Sequence, residues 1–255
     1  MRGLAILCAI VVGGILLWGA TDFPAWGRLD SPASVNLSDQ YIEHAFEKTH
    51  VPNLVSAILA DYRNYDTMFE TTVVFTACTA IFLILRLPLG PLARRRNTVH
   101  VQAARQGLPR DPILEMACRV LFPPTHLFGL YVLTHGHYSP GGGFQAGVIL
   151  GASFILLAIG FDLRAILARL PEGLFVPMTA LGVILYIGTG VLCLILGGNF
   201  LDYEALRVLA PGISKEMIRS HGILIVESGV TLTVGSVIFA IYANLVSRGN
   251  QMEGL

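Results

Sequence analysis

Charge and cysteine are both scarce in this chain. Only 13% of its 255 residues are charged while 54% are hydrophobic, and the hydrophobic residues come in long blocks rather than on one helical face. This composition excludes an ordinary water-soluble domain. The 4 cysteines form no Cys-x-x-Cys pair and have no spacing suited to a zinc site or an iron–sulfur cluster. We therefore expect no redox centre in this chain.

Nucleotide-binding motifs are missing as well. The sequence contains neither a Walker A pattern nor a Gly-x-Gly-x-x-Gly pattern, and its polar stretches are too short for a nucleotide-binding domain. We predict no cofactor in this chain and no nucleic-acid partner. Any driving force must then come from an ion gradient or from partner subunits.

Six apolar blocks are long enough to cross a lipid bilayer, which takes roughly 17 to 25 residues as a helix. They cover residues 4–20, 71–89, 113–133, 144–161, 174–196 and 218–246. The fold class predicted is an all-α integral membrane protein with about six transmembrane helices. We expect a two-span unit with an outer-face segment at 1–91, a basic cytoplasmic linker at 92–111 and a four-span unit at 112–255.

The distribution of basic residues predicts the orientation. Residues 92–111 contain five arginines, whereas the longer segment 21–67 has only Arg28, Lys48 and Arg63. Positively charged loops stay in the cytoplasm, so both termini are predicted to be cytoplasmic. Residues 135–143 are then on the outer face.

A glycine-rich turn lies between the third and fourth spans. It runs from His135 and His137 through Pro140, Gly141, Gly142 and Gly143 to Phe144. Such irregular backbone beside lipid requires cover by protein or by a water-filled cavity, which suggests an ion passage. A simple tight reversal between two helices is the alternative. The two histidines lack a third ligand, so we do not predict a zinc site.

The approach to the second span carries a run of charges. If this stretch is helical, Arg63, Asp66 and Glu70 lie on one face at i, i+3 and i+7, where they could pass protons or sodium. Thr67-x-x-Glu70 before an apolar run also fits a helix capping box. Both interpretations remain open.

Glu227 is the ionisable residue deepest in a predicted span. It lies about nine residues, or roughly 13 Å, into the last span, so we expect it to face protein or water rather than lipid. Thr231, one turn later, is a candidate hydrogen-bond partner for its carboxyl group. The alternative is a neutral hydrogen bond from Glu227 that ties two helices together.

The third span combines an expected ion pair with an expected break. Glu115 and Arg119 are spaced i, i+4 near the cytoplasmic end, where an ion pair is favourable. Pro123-Pro124 is predicted to break the helical hydrogen-bond ladder near mid-membrane and to free carbonyl groups that water, Thr125 or an ion could satisfy. His126 beside this break is either a proton relay or a structural histidine with a satisfied hydrogen bond.

These motifs have known counterparts. Gly136-His137-x-x-Pro140-Gly141-Gly142-Gly143-Phe144-x-x-Gly147, with the later Glu227-x-Gly229-Val230, resembles the MnhB/MrpB family of subunits in multisubunit sodium/proton antiporters and membrane-bound hydrogenases. That family usually has aspartate where this chain has Glu227. Glutamate keeps the charge and lengthens its reach.

The first half of the chain has its own resemblance. Asn53-x-x-x-x-Ile58-Leu59-x-Asp61-Tyr62-Arg63-x-Tyr65-Asp66-Thr67-x-x-Glu70 is similar to the MbhE-type domain of hydrogenases, which forms the C-terminal tail of the giant MrpA protein in stand-alone Mrp antiporters. The family tends to have glycine at the position of Phe69. The resemblance adds Asp61 to the candidate ion pathway.

Together the resemblances imply a membrane subunit of an Mrp-type sodium/proton translocating module in a prokaryotic inner membrane. Sodium ions and protons would be the transported species. The implied partners are antiporter-like and small Mrp-type membrane subunits, and hydrogenase-like or other iron–sulfur subunits that hold any redox cofactor. The joining of the two domains favours a redox-linked complex over a stand-alone antiporter. A purely structural bridging subunit is the other alternative.

Overall fold

The computed structural model describes residues 2–86 and 111–247, and most of these residues are helical. In chain order the α-helices are α1 (Arg2–Ala20), α2 (Asp39–Thr49), α3 (Leu54–Ala57), α4 (Asn64–Arg86), α5 (Pro112–His135), α6 (Gly143–Phe161), α7 (Leu163–Leu167), α8 (Glu172–Ile195) and α9 (Lys215–Val246). Two π-helices, Ala33–Ser38 and Ile58–Tyr62, and a 3-10 helix, Tyr203–Leu209, complete the described elements.

Six of these helices are long and apolar enough to cross a membrane, namely α1, α4, α5, α6, α8 and α9. This confirms the all-α membrane fold and the predicted number of spans. One boundary differs from the prediction, because α4 begins at Asn64 and not near residue 71. The polar residues before the apolar block therefore belong to the spanning helix itself.

Residues 1–44 form one compact unit and the chain from Ala45 onwards forms another. The first unit contains α1, whose described side chains are mostly exposed, and an ion pair between Arg28 and Asp30. All of the packing described below lies within the second unit.

Helix α9 is the centre of the second unit. It packs against α8, α6 and α4, while α5 packs on the outer side of α6. Val226, Val230 and Val234 of α9 are almost completely enclosed. Since lipid is as apolar as these side chains, close packing rather than the hydrophobic effect holds spanning helices together.

Glycines allow that close packing. A Cβ atom at Gly147 of α6 would lie 2.8 Å from the Cβ atom of Val234, and one at Gly151 would lie 2.9 Å from the carbonyl oxygen of Gly235. Neither position has room for a larger residue. Helix α6 consequently lies with its backbone against α9.

The third span continues through its two prolines. Helix α5 runs from Pro112 to His135 with Pro123 and Pro124 inside it. Neither proline has an N–H to donate, so two bonds of the helical ladder are missing, and what satisfies the freed carbonyl groups stays a prediction. A spanning helix tolerates proline where neighbouring protein supports it, and α5 packs along α6. The predicted pair of Glu115 and Arg119 is present at 3.0 Å.

Helix α5 starts sharply at Asp111. The Asp111 carboxylate accepts a hydrogen bond from the Ile113 nitrogen at 2.9 Å, and Pro112 occupies the first turn, where its missing N–H costs nothing. The predicted basic linker, except for Asp111, lies outside the described residues. The predicted division into 1–91, 92–111 and 112–255 stays a prediction.

Candidate functional site

One cleft of about 530 Å³ brings together the main residues that the sequence singled out. Its lining includes Glu70 from α4, the glycines 141–143 and Phe144 from the turn into α6, and Glu227 from α9. Apolar side chains such as Leu59, Val148 and Ile149 form much of the remaining wall. The cleft therefore places two carboxyl groups in a largely apolar setting within the membrane-spanning bundle.

Glu227 is the most unusual of these groups. Only 6% of the residue is exposed, and its Oε2 atom has no hydrogen-bond partner among the described residues. Burying a carboxylate without a partner is costly, because the charge loses its hydration. A carboxyl group held in this way is suited to the reversible binding of a proton or a cation.

Thr231 does not serve Glu227 as expected. Its hydroxyl group donates to two main-chain carbonyl oxygens, of Gly143 and of Glu227, each at 2.9 Å. The predicted bond to the Glu227 carboxyl is absent, since the hydroxyl donates instead to the backbone of α6 and of its own helix. A tie between α6 and α9 exists, but Thr231 makes it. The Glu227 carboxyl has a separate interaction, with Ser56 of α3, so its role as a helix tie stays a prediction.

The glycine turn is shaped by Glu227 at two positions. Gly142 has φ +136°, a conformation that favours glycine. A Cβ atom there would lie 3.1 Å from Glu227 Oε1, and a Cβ atom at Gly143 would overlap the carbonyl group of Glu227. The turn is thus a tight reversal, as one interpretation held, and it also forms the cleft wall beside the carboxyl group.

Gln145 and Ser56 are polar residues at the cleft for which the sequence yielded no prediction. Gln145 lines the cleft, and its Oε1 atom would lie 3.4 Å from the same Cβ position at Gly142. Ser56 also lines the cleft and interacts with the Glu227 carboxyl. The sequence does carry a sign of each residue. Gln145 is a polar residue in the first turn of an apolar span, and Ser56 is a polar residue within the apolar run 54–60.

The predicted charge ladder before the second span is only partly formed. Arg63 precedes α4, and its Nε atom donates to Asp66 Oδ2 at 2.7 Å on the exposed surface. Neither residue lines the cleft, whereas Glu70 does. The capping-box interpretation is wrong, because Thr67 lies inside α4 and its hydroxyl donates to the Leu59 carbonyl at 2.7 Å.

Asp61 lies beside the cleft rather than in it. Its carboxylate accepts a hydrogen bond from Arg219 at 2.5 Å and its side chain is 3% exposed. Burial raises the pKa of Asp61, and the bond to Arg219 opposes that shift. The pair joins the segment before α4 to α9.

The two candidate histidines occupy different places. His126 shares a hydrogen bond of 2.9 Å with the Ser153 hydroxyl and packs between Phe122 and Phe154, away from the cleft lining. This favours the structural interpretation of His126. Pro140 is exposed just before the glycines and is not part of the lining either.

His137 is buried, and its Nε2 atom has no partner among the described residues. Burial lowers the pKa of His137, and nearby His221 adds to the shift, while a hydrogen bond with the Ser220 backbone opposes it. Across residues 2–86 and 111–247, no group of three His, Cys, Asp or Glu side chains is placed to hold a metal ion.

Comparison with known proteins gives matches to both halves of the chain. Residues 113–240 match a domain related to the MnhB subunit of the Na⁺/H⁺ antiporter, and residues 2–96 match MbhE, a subunit of MBH. A Na⁺/H⁺ antiporter subunit from Bacillus subtilis is 30% identical over 129 residues, which are 49% of this chain and 90% of that protein.

Two solved structures share the fold. A chain of the membrane-bound sulfane sulfur reductase, an archaeal respiratory membrane complex, superposes with a TM-score of 0.63 at 28% identity and covers 96% of this chain and 97% of that one. A chain of the Mrp complex from Dietzia sp. gives a TM-score of 0.61 at 25% identity over 96% of this chain, but only 26% of that longer chain.

These matches confirm both resemblances, and with the six spanning helices they establish a multi-pass membrane protein. The MnhB-related match alone extends over half of the sequence. The chain therefore belongs to the family of proteins with a domain related to the MnhB subunit of Na⁺/H⁺ antiporters, joined here to an MbhE segment.

Proposed function

We propose that this chain is a membrane subunit of a multisubunit Mrp-type module that exchanges sodium ions for protons, and that the cleft forms part of the ion path. The observation that carries the proposal is the buried carboxyl group of Glu227, whose Oε2 atom has no hydrogen-bond partner among the described residues, at a cleft that Glu70 also lines. In this proposal both carboxyl groups bind and release a proton or a sodium ion. Neither step requires a redox group in this chain.

Neighbouring membrane subunits complete the proposed site. Glu70 is exposed on the spanning helix α4, as are many large apolar side chains of α5 and α8. Lipid does not solvate a carboxylate at this position, so protein or water must cover it. Antiporter-like and small Mrp-type subunits are the partners we propose.

We further propose a redox-linked complex in a prokaryotic inner membrane, with both termini in the cytoplasm. Support comes from the match to nearly the whole of a chain of an archaeal respiratory complex, compared with a quarter of the Mrp chain from Dietzia. Iron–sulfur subunits of such a complex would hold the redox cofactors. Mass spectrometry of the complex purified through this chain distinguishes the redox-linked form from a stand-alone antiporter, which would contain no iron–sulfur subunit.

The central experiment compares Glu227→Gln with Glu115→Gln in the assembled complex. Glutamine keeps the size of each side chain and removes its titration. Glu115 is the matched control, because it lies in a spanning helix but pairs with Arg119 away from the cleft. We expect sodium-driven proton movement in inverted vesicles to fall at least about 100-fold in Glu227→Gln, the lower end of the loss typical of removing a proton-transfer group. Glu115→Gln should stay within about twofold of the unaltered complex.

Assembly is measured alongside transport in these variants. Equal subunit content of the purified complexes shows that a transport defect is not a folding defect. Unchanged exchange in a fully assembled Glu227→Gln complex contradicts the proposal and favours the structural bridging role.

A further inference from the structure

Asn53 reaches across to the glycine turn from the other half of the chain. Its Nδ2 atom donates to the carbonyl oxygens of Gly136 and Ser139, at 2.7 and 2.8 Å. Its main-chain nitrogen donates to the carbonyl oxygen of His137 at 2.8 Å. One residue of the MbhE segment thus binds three residues of the turn.

The Asn53 side chain is itself held in place. Its Oδ1 atom accepts from the nitrogen of Val55 at 3.1 Å, which makes Asn53 the N-cap of α3. Ser56, one turn later, donates to the same Gly136 carbonyl at 2.9 Å. The start of α3 and the turn are therefore joined by a small network in which the Gly136 carbonyl accepts two hydrogen bonds.

A short chain of contacts leads from Asn53 to Glu227. A Cβ atom at Gly136 would lie 2.8 Å from the nitrogen of Gly142, so these two parts of the turn are in direct contact. Gly142 in turn lies against Glu227 Oε1. A displacement of Gly136 therefore moves the cleft wall beside the Glu227 carboxyl.

We propose that Asn53 is a positioning residue, whose side-chain amide holds the glycine turn in the conformation that the cleft requires around Glu227. Asn53 itself is not among the residues that line the cleft and acts through the turn. The role of Asn53 in sodium/proton exchange rests on the proposed function. The hydrogen bonds that hold the turn do not depend on that function.

Asparagine suits this place because its side chain is both donor and acceptor. The NH₂ group serves the turn while the oxygen caps α3. Aspartate has nearly the same shape but sets a charged acceptor against the carbonyl oxygens of Gly136 and Ser139. Asn53→Asp is therefore the variant that loses the hold on the turn while keeping the cap.

Other hydrogen bonds attach this segment to the rest of the bundle. The Tyr203 hydroxyl donates to the carbonyl of Ala60 and the Tyr186 hydroxyl to that of Asn64, each at 2.9 Å. The Asn64 side chain donates to the carbonyl of Leu201 at 3.1 Å. Loss of the Asn53 bonds should consequently shift the turn without releasing the segment.

The test compares Asn53→Asp with Asn64→Asp. Asn64 is the matched control, because it lies in the same MbhE segment and its side chain binds Leu201 rather than the glycine turn. Hydrogen–deuterium exchange of the assembled complex reports the hold on the turn directly. We expect faster hydrogen–deuterium exchange at residues 136–143 in Asn53→Asp and no change there in Asn64→Asp. If the hydrogen–deuterium exchange of the turn is unchanged in Asn53→Asp, the proposal is overturned, whatever the transport activity is.

Transport measurements then distinguish a positioning role of Asn53 from a contribution to stability alone. In Asn53→Asp the sodium chloride concentration for half-maximal sodium/proton exchange should rise by at least about fivefold, because two hydrogen bonds to the turn are lost and the net loss of a single one corresponds to about that factor. The maximal rate should be less affected. Asn64→Asp should leave that concentration unchanged. A loosened turn with an unchanged half-maximal concentration overturns the functional part of the proposal. If Asn53→Asp does not assemble, Asn53→Ser, which keeps one donor, decides by the same two measurements.

Discussion

Arg219 of α9 and Asp61 of the preceding π-helical segment form a buried ion pair at 2.5 Å. The Asp61 side chain is 3% exposed and the Arg219 side chain 25%. Each charge has lost most of its water and depends on the other. Such pairs contribute little net stability when intact, but removal of one member leaves an uncompensated charge.

We expect Asp61→Asn and Arg219→Met each to destabilise the bundle by about 3–5 kcal/mol. The double variant Asp61→Asn with Arg219→Met should recover much of that loss, because it leaves no unpaired charge. Thermal unfolding of the purified complex in detergent measures all three. A double variant as unstable as the sum of the two single variants would contradict the importance of the pairing.

Glu70 should behave differently from Asp66, although both were singled out in one charge ladder. Glu70→Gln is expected to reduce sodium-dependent exchange at least about 100-fold without loss of assembly, since Glu70 lines the cleft and its carboxyl group is a proposed proton-binding group. Asp66→Asn should stay within about twofold, because Asp66 pairs with Arg63 on the exposed surface. Exchange assays in vesicles with equal amounts of complex check both values. Equal losses in the two variants would restore the ladder interpretation.

Gly143→Ala should damage packing rather than chemistry. The added methyl group would overlap the carbonyl group of Glu227, so we expect a destabilisation of about 1–3 kcal/mol from overpacking. Gly173→Ala is the matched control, because no atom lies within 4 Å of its Cβ position. Unfolding temperatures and the yield of assembled complex measure the difference. A normal yield and temperature for Gly143→Ala would show that α6 and α9 can move apart.

His137 should make stability depend on pH. Burial holds the folded-state pKa of His137 below the ordinary value of 6.5. Between these two pKa values the unfolded chain binds a proton at His137 and the folded chain does not, which favours unfolding. The contribution of His137 is complete above pH 6.5 and is lost as the pH falls towards its folded pKa. His137→Gln should therefore show a smaller drop in unfolding temperature between pH 7.5 and 5.5 than the unaltered complex. An identical drop would place the titration elsewhere.

The parts of the site that the sequence predicted depend on local composition. A carboxyl group deep in an apolar block, as at Glu227, or a run such as Gly141 to Gly143, is unusual wherever the chain folds. No spacing in the sequence predicts that Glu227 and these glycines lie in one cleft with Glu70. Helical periodicity shows which side chains share a face, but not which neighbouring element they meet.

The wrong expectations depended on tertiary contacts. The Thr231 hydroxyl has the Gly143 carbonyl within reach only because α6 packs closely on α9. The reach of Asn53 to Gly136 joins residues far apart in the chain, and no short motif reveals such a contact.

The central position of α9 has a consequence for how the protein is made. The ribosome synthesises α4, α5, α6 and α8 before α9, although all four contact it. Until α9 enters the membrane, Gly147, Gly151 and the surfaces around them face lipid or the insertion machinery. Biogenesis of this subunit is therefore completed late, and a ribosome that stalls before residue 215 leaves the earlier helices inserted in the bilayer without the partner that arranges them.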